Sequence, residues 1–280
     1  MKIIKKPEEL QKIIEGLKKK GKTVGLVPTM GALHCGHISL MKKSVSQNDV
    51  TVVSVYVNPI QFGPNEDYER YPRPVEHDIK VCKDNKVDFL FLPTNQTLYN
   101  DNFSTYIYNN KLAKIMCGVT RPIHFQGVCT VVSKLFNIAM PTRAYFGLKD
   151  YQQYIIVKQM AKDLNFNIKV IGCPIVREKS GLAMSSRNTY LSEKDKENAC
   201  GIYKSLCLAK KQFTAGKKLK DIKKEIEKNI LAIPKSKIDY VELRNSENLN
   251  EVTDKNKSIV IAVAVKVGNV RLIDNIVCKK

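Results

Sequence analysis

No stretch of about 18 apolar residues occurs in this chain, so no segment reads as a bilayer-spanning helix. The N-terminus, Met1-Lys2-Ile3-Ile4-Lys5-Lys6-Pro7-Glu8-Glu9, also lacks the apolar core of a secretory signal and turns charged at once. These two absences predict a soluble, cytoplasmic protein. The eight cysteines form no CxxC pair and no other zinc spacing, which argues against a disulfide framework or a structural metal and for reduced thiols. Neither a GxxxxGK followed by Ser or Thr nor the protein-kinase motif set is found, so the two commonest ways of gripping a triphosphate are excluded. Carboxylates are scarce: 27 Asp and Glu face 47 Lys and Arg, a formal net charge of +20. That balance raises the question of nucleic acid, but no RNP-like aromatic pattern or basic zipper accompanies it, and the lysine runs at 18–20 and 217–220 have glutamates nearby. A basic surface that attracts anionic substrates is the expectation, without a specific nucleic-acid partner.

What is present begins with enough apolar residues, 43% of 280, to bury a large core or two ordinary ones. Residues 7–20 place Leu10, Ile13, Ile14 and Leu17 on one helical face, with Pro7 in the first turn and Gly21 past the end. Apolar runs at 24–27, 50–57 and 89–92 read as buried strands, separated by helical spacing at 36–45 and 74–86. This alternation predicts an α/β fold with a Rossmann-like parallel sheet, whose ligands sit beyond the carboxyl ends of the strands. A helix at 127–140, a strand at 144–146, a helix carrying Gln152 and Gln153, and a strand within 167–176 continue it. Thereafter two lysine-rich helices precede strands at 238–243, 259–267 and 270–273, the pattern of a smaller α+β domain. The expected division is therefore 1–175 and 176–280.

Of four histidines, two stand together in Val27-Pro28-Thr29-Met30-Gly31-Ala32-Leu33-His34-Cys35-Gly36-His37. This segment leaves the first buried strand, turns at Pro28 and Gly31, and puts His37 at a helix start, where free N–H groups and the helix dipole favour phosphate. Gly36 allows the backbone close to a ligand. An incidental strand–loop–helix connection remains the alternative on these residues alone. Cys35, between the imidazoles, reads as a small residue in a permissive loop, with a reactive thiolate the sharper alternative.

Other polar residues follow other strand ends: Asn58 and Gln61, then Gly147-Leu148-Lys149-Asp150 with Gln153, then the loop containing Met184-Ser185-Ser186-Arg187. Four loops are expected on one rim. Their imidazoles, cations, hydroxyls and amides suit a transferring phosphoryl group, which needs fixed donors more than a nucleophile. With P-loop and kinase motifs excluded, nucleotidyl transfer at the α-phosphate of a nucleoside triphosphate remains. Asn58 is equally readable as an Asx-turn before Pro59.

The pairing of a His-x-Gly-His loop with a distant Ser-Ser-Arg loop resembles the nucleotidyltransferase superfamily that includes class I aminoacyl-tRNA synthetases. Residues 28–34, Asn58-Pro59-Ile60-Gln61-Phe62, His124-Phe125-Gln126-Gly127-Val128, residues 146–153, residues 182–188 and Arg271-Leu272-Ile273-Asp274-Asn275 together resemble one family within it, the pantoate–β-alanine ligases, along essentially the whole chain. The resemblance implies condensation of pantoate with β-alanine in pantothenate and coenzyme A biosynthesis, using ATP through a pantoyl adenylate. It places ATP on Met30, Gly31, His34, Gly36, His37, Gly147, Leu148, Lys149, Asp150, Val176, Met184, Ser185, Ser186 and Arg187. His34, His37, Lys149, Ser185, Ser186 and Arg187 would act on the phosphates, with His37 as proton donor. Gln61 and Gln153 would bind pantoate, Asn58 more weakly, and Mg²⁺ would ride on the triphosphate with no protein metal site. A homodimer is implied as well. Three positions depart from the pattern: Cys35 at its variable position, Ile123 where glycine is frequent, and Leu148 where a polar residue is common. Another nucleotidyl-transferring enzyme of this fold and an RNA-binding module are the rival readings.

Overall fold

Apolar runs without alternation suit strands covered on both faces, and six of them pair in parallel: Lys2–Ile4 (β1), Val24–Thr29 (β2), Val50–Val55 (β3), Phe89–Phe91 (β4), Arg143–Gly147 (β5) and Lys169–Cys173 (β6). Their order in the sheet is β1-β4-β3-β2-β5-β6. The computed structural model describes residues 1–64 and 66–280. They divide into two units, Met1–Leu148 with Ile156–Pro174, and Lys149–Ile155 with Ile175–Lys280. Residues 149–155, counted with the sheet in the sequence reading, thus group with the second unit.

In the first unit, β2 registers along β3 from Val24 opposite Val50 to Thr29 opposite Val55, and meets β5 on its other side through Gly25 and Leu26. The chain therefore builds outward from β2 through β3 and β4, then restarts on the other side at β5. Such a reversal leaves a crevice outside the carboxyl ends of the two strands that flank it. Those ends are Thr29 and Gly147. Leu26, Val27, Val52, Val53, Leu90, Phe91, Ala144 and Tyr145 are buried in the sheet. The helices are Pro7–Lys19 (α1), Cys35–Val45 (α2), Val75–Asp84 (α3), Asn95–Leu98 (α4), Cys117–Thr120 (α5), His124–Ala139 (α6) and Tyr151–Asp163 (α7), the last belonging to this unit only from Ile156 on. Helix α6 begins at His124 rather than at 127. Gly127 is inside it, where a Cβ would collide with the carbonyl oxygen of Ile60 and come 2.5 Å from the Gln61 Cα. That glycine marks a close approach, not a helix start.

The second unit is a three-stranded antiparallel sheet of Ser236–Asn245 (β7), Ser258–Val267 (β8) and Val270–Lys279 (β9), with Glu193–Thr214 (α8) and Leu219–Leu231 (α9). Alternate residues Ile259, Ile261, Val263, Val265 and Val267 of the central strand meet Leu206, Phe213, Ile222, Ile226 and Ile230 of the helices in one apolar cluster. Val267 pairs with Val270 across a two-residue turn, which Gly268 enters at φ 59°. No helix among the described residues is long and apolar enough to cross a membrane.

Gly25 sets how α2 lies on the sheet. A Cβ there would strike the Ser44 Oγ and sit 2.5 Å from the Asn48 Nδ2. Both groups are committed: Ser44 shares a buried 2.8 Å hydrogen bond with Thr51, and Asn48 donates to the Ser44 carbonyl and to the Tyr145 hydroxyl, each at 2.8 Å. Gly25→Ala should therefore push α2 outward and cost about 1–3 kcal/mol, the usual range for overpacking. Urea unfolding measures it, and an unchanged midpoint would show that α2 is not held by this contact.

Candidate active site

The loop that leaves β2 is fixed from three sides. The Thr29 hydroxyl donates to the Ser54 carbonyl at 2.8 Å and accepts from the Gly31 N–H at 3.1 Å. Gly31 and Ala32 then pass through the left-handed region, at φ 84° and 50°. A non-glycine residue persists there only when its surroundings impose it, and here the carboxylate of Asp78 does so. Its two oxygens accept from the N–H of Ala32 at 2.9 Å and of Leu33 at 2.8 Å. Asp78 is 1% exposed. Burial pushes its carboxyl above the ordinary value, against the opposing pull of the Leu33 and Ala32 N–H groups and of His77. His77 Nε2 lies 3.1 Å from the Leu33 carbonyl oxygen, which can only accept, so this nitrogen carries the proton.

Helix α2 starts directly after this loop, with His34 as its N-cap in extended geometry. The Gly36 N–H donates to His34 Nδ1 at 3.1 Å, and the His34 N–H donates to His37 Nδ1 at 3.2 Å. A backbone N–H can only donate, so each Nδ1 presents a lone pair and each neutral ring bears its proton on Nε2. The ring centroids are 4.1 Å apart. Two Nε2–H donors thus stand at the positive end of an eleven-residue helix, a place suited to anionic oxygen. The two side chains that cap the helix are thus also the candidate donors to a ligand.

After β3 comes a single turn, Pro59–Gln61, preceded by Asn58. Asn58 makes no side-chain cap hydrogen bond, so it is not an Asx-turn. Its Nδ2 instead donates to Gln61 Oε1 and to the Gly127 carbonyl, both at 3.1 Å. Gln61 Nε2 reaches the Met30 Sδ at 2.9 Å, linking this turn to the β2 loop. His124 Nδ1 is 3.0 Å from the Gln61 carbonyl oxygen and donates to it. Ile123, preceding it, is right-handed at φ −91° and ψ −12°, a conformation any residue adopts, so the missing glycine leaves the loop intact. Gly147 and Leu148 close the first unit's set at the end of β5.

In the second unit the remaining candidates are backed by β9. Lys149 has its carbonyl fixed by Asn275 Nδ2 at 2.9 Å and its Nζ 3.8 Å from Asp150. Gln153 lies half-buried on the first turn of α7. Val176 accepts from the Met184 N–H at 3.0 Å, and Arg177 bridges to Ala183, forming a small hairpin. Arg177 grips both oxygens of Asp274 at 2.7 and 2.8 Å and stacks 3.6 Å from the Tyr203 ring centroid. Ser185 then caps the turn Ser186–Tyr190, its Oγ accepting from the Arg187 N–H at 3.3 Å. Asn188 Nδ2 locks the base of that turn to Glu178 and the Ala183 carbonyl. The Arg271-to-Asn275 motif is therefore a support, holding the hairpin through Asp274 and Lys149 through Asn275.

Sequence reasoning did not single out Asp78. Its only signal was a carboxylate four residues before a buried cysteine, Cys82, on the inner face of α3.

The first unit is a Rossmann-like parallel sheet with a histidine-capped helix following a strand at its reversal point. The sequence matches the family model described as pantoate-beta-alanine ligase over residues 2–277, and the chain belongs to that family. It is 50% identical to the pantothenate synthetase of Thermosipho africanus, covering 99% of this chain and 100% of that one. The pantothenate synthetase of Thermotoga petrophila is 51% identical over 98% and 99% of the two chains. Among solved structures, the pantothenate synthetase of Thermus thermophilus matches with a TM-score of 0.93 at 39% identity over 99% of each chain. A Francisella tularensis pantoate-beta-alanine ligase, complexed with beta-gamma ATP and beta-alanine, matches with a TM-score of 0.81 at 39% identity over 99% and 97%.

Asp78→Asn offers a single acceptor to two N–H groups, leaving one unpaired. It should cost about 1–3 kcal/mol in urea unfolding and raise the KM for ATP. Wild-type stability with an unchanged KM would show that the carboxylate does not hold the loop.

Proposed function

We propose that this enzyme condenses pantoate with β-alanine in two half-reactions on ATP, with His34 and His37 as neutral hydrogen-bond donors to phosphate. The observation that carries the reading is the reciprocal cap, which takes up Nδ1 of each imidazole at the start of α2 and so leaves the ring proton on Nε2. In the first half-reaction a pantoate carboxylate oxygen forms a bond to the α-phosphorus, and the bond from that phosphorus to the bridging oxygen breaks, releasing pyrophosphate. The carboxylate is ionised at neutral pH, so no general base is required. In the second, the β-alanine nitrogen attacks the acyl carbon, AMP leaves with the acyl oxygen, and the amine loses a proton.

The demands on the protein are alignment and neutralisation of charge. His37 Nε2–H follows the phosphate oxygens as charge grows on them. Lys149, Ser185, Ser186 and Arg187 hold the transferring phosphate and the pyrophosphate. Met30, Gly31, Gly36, Gly147, Leu148, Asp150, Val176 and Met184 line ATP, largely through backbone. Gln61 and Gln153 hydrogen-bond pantoate; as uncharged amides they orient the nucleophile without neutralising it. Among the described residues no group of three or more His, Cys, Asp or Glu side chains gathers as a metal cage. Mg²⁺ would be carried on the triphosphate, where it would supply charge neutralisation. The protein acts in the cytoplasm, as a homodimer, on small molecules.

Release of AMP should require ATP, pantoate and β-alanine together, each omitted in turn. Turnover without pantoate would overturn the reading. His37→Ala should lower the rate about 100-fold, as when a transition-state donor is lost, with folding retained. Near-wild-type turnover would remove His37 from the chemistry.

A further inference from the structure

Gln61 can serve a carboxylate or hydroxyl oxygen of pantoate only if its Nε2, not its Oε1, faces the ligand, and an amide has no intrinsic preference between the two. The surroundings of Asn58 decide it. Asn58 is 1% exposed, and its polar atoms meet partners of fixed sense. The Gly127 carbonyl oxygen can only accept, so the atom 3.1 Å from it is Nδ2. The same Nδ2 is 3.1 Å from the Gln61 side chain, which must therefore turn its Oε1 inward and its Nε2 toward Met30. That leaves the Asn58 Oδ1, buried and needing a donor, and Tyr99 provides it with its hydroxyl at 2.9 Å. Burial pushes the Tyr99 phenol above its ordinary value, so it keeps its proton and can only be the donor here.

Tyr99 is itself set in place. It follows α4, whose cap Thr94 exchanges hydrogen bonds with Thr97, and its N–H donates to the Asn95 carbonyl at 2.7 Å. Its ring stands edge-on to Phe103 with centroids 4.8 Å apart, and the Lys134 ammonium lies 5.8 Å from its centroid. The Asn95 side chain accepts in turn from the Tyr56 hydroxyl at 2.8 Å.

We infer that Tyr99, acting through Asn58, is a positioning residue that fixes which end of the Gln61 amide is offered to pantoate. The inference rests on the placement of Gln61 against pantoate given above. Without the Tyr99 hydroxyl, the Asn58 oxygen is left buried and unpaired, only the Gly127 carbonyl still holds the asparagine to one orientation, and Gln61 more readily presents its oxygen to an anionic substrate. Discrimination then falls, because an acceptor facing a carboxylate repels it.

Tyr99→Phe removes the hydroxyl and keeps the ring. In pantoate-dependent exchange of pyrophosphate into ATP, it should raise the KM for pantoate about tenfold, the value of one hydrogen bond to a charged group, and leave the KM for ATP within about twofold. A merely structural role would move both together. In a Gln61→Ala background the same substitution should change the pantoate KM by less than about twofold, because the group it orients is gone. An unchanged pantoate KM in Tyr99→Phe overturns the inference. So does a parallel rise for ATP, or an equal effect with and without Gln61. If Gln61→Ala alone leaves the pantoate KM as in wild type, it is the placement of Gln61 that fails, and the inference with it.

Discussion

Each imidazole of the His34 and His37 pair accepts a backbone N–H at Nδ1, and this constraint decides what the rest of the first unit can do. It satisfies helix N–H groups that would otherwise lack partners and at the same time orients the rings and fixes their tautomers. The loop before the pair has to deliver His34 in extended geometry, which requires two consecutive residues in the left-handed region. Glycine supplies one of these at no steric cost. Ala32 supplies the other against its preference, and the buried carboxylate of Asp78 provides the compensating hydrogen bonds from a different helix. Loop, cap and α3 therefore stand or fall together.

The two units solve a shared problem differently. In the first, the candidate groups sit on the ends of strands and on one helix start, so the sheet itself fixes their spacing. In the second, the Ser-Ser-Arg turn has no strand of its own: the Asn188 amide ties it to Glu178 and Ala183 of the hairpin, and the Arg177 to Asp274 ion pair ties that hairpin to β9. The ion pair is bidentate, largely buried and stacked on Tyr203, the circumstances in which such a pair restrains geometry well. Tethering the turn in this way fixes the backbone that carries Ser186 and Arg187.

Much of this was legible in the chain. The valine-rich runs around 24–27 and 50–57 announced a parallel sheet, and the polar residues after each run lie at the carboxyl ends of its strands. The elements that escaped notice were those whose cause is tertiary. Strand β1 is three residues long and exists because Ile3 and Ile4 pair beside Leu90 and Phe91. Helix α6 was placed late because Gly127 looks like a start, when it is an interior point that lets the helix touch the Ile60 carbonyl. Asp78 is far in sequence from the loop it holds, 45 positions beyond Leu33. The resemblance of six separated motifs to the pantoate–β-alanine ligases supplied the chemistry that spacing alone left open among nucleotidyl transfers, and the whole-length match places the chain in that family.

The central claim is the tautomeric state imposed by the helix cap, and nitrogen NMR of the histidine rings tests it most directly. With four histidines in the chain, each ring can be assigned by single substitution. The account predicts that neutral His34, His37 and His77 carry their proton on Nε2 while His124 carries it on Nδ1, and that ATP shifts the Nε2 signals of His34 and His37. A proton on Nδ1 of either His34 or His37 would contradict it.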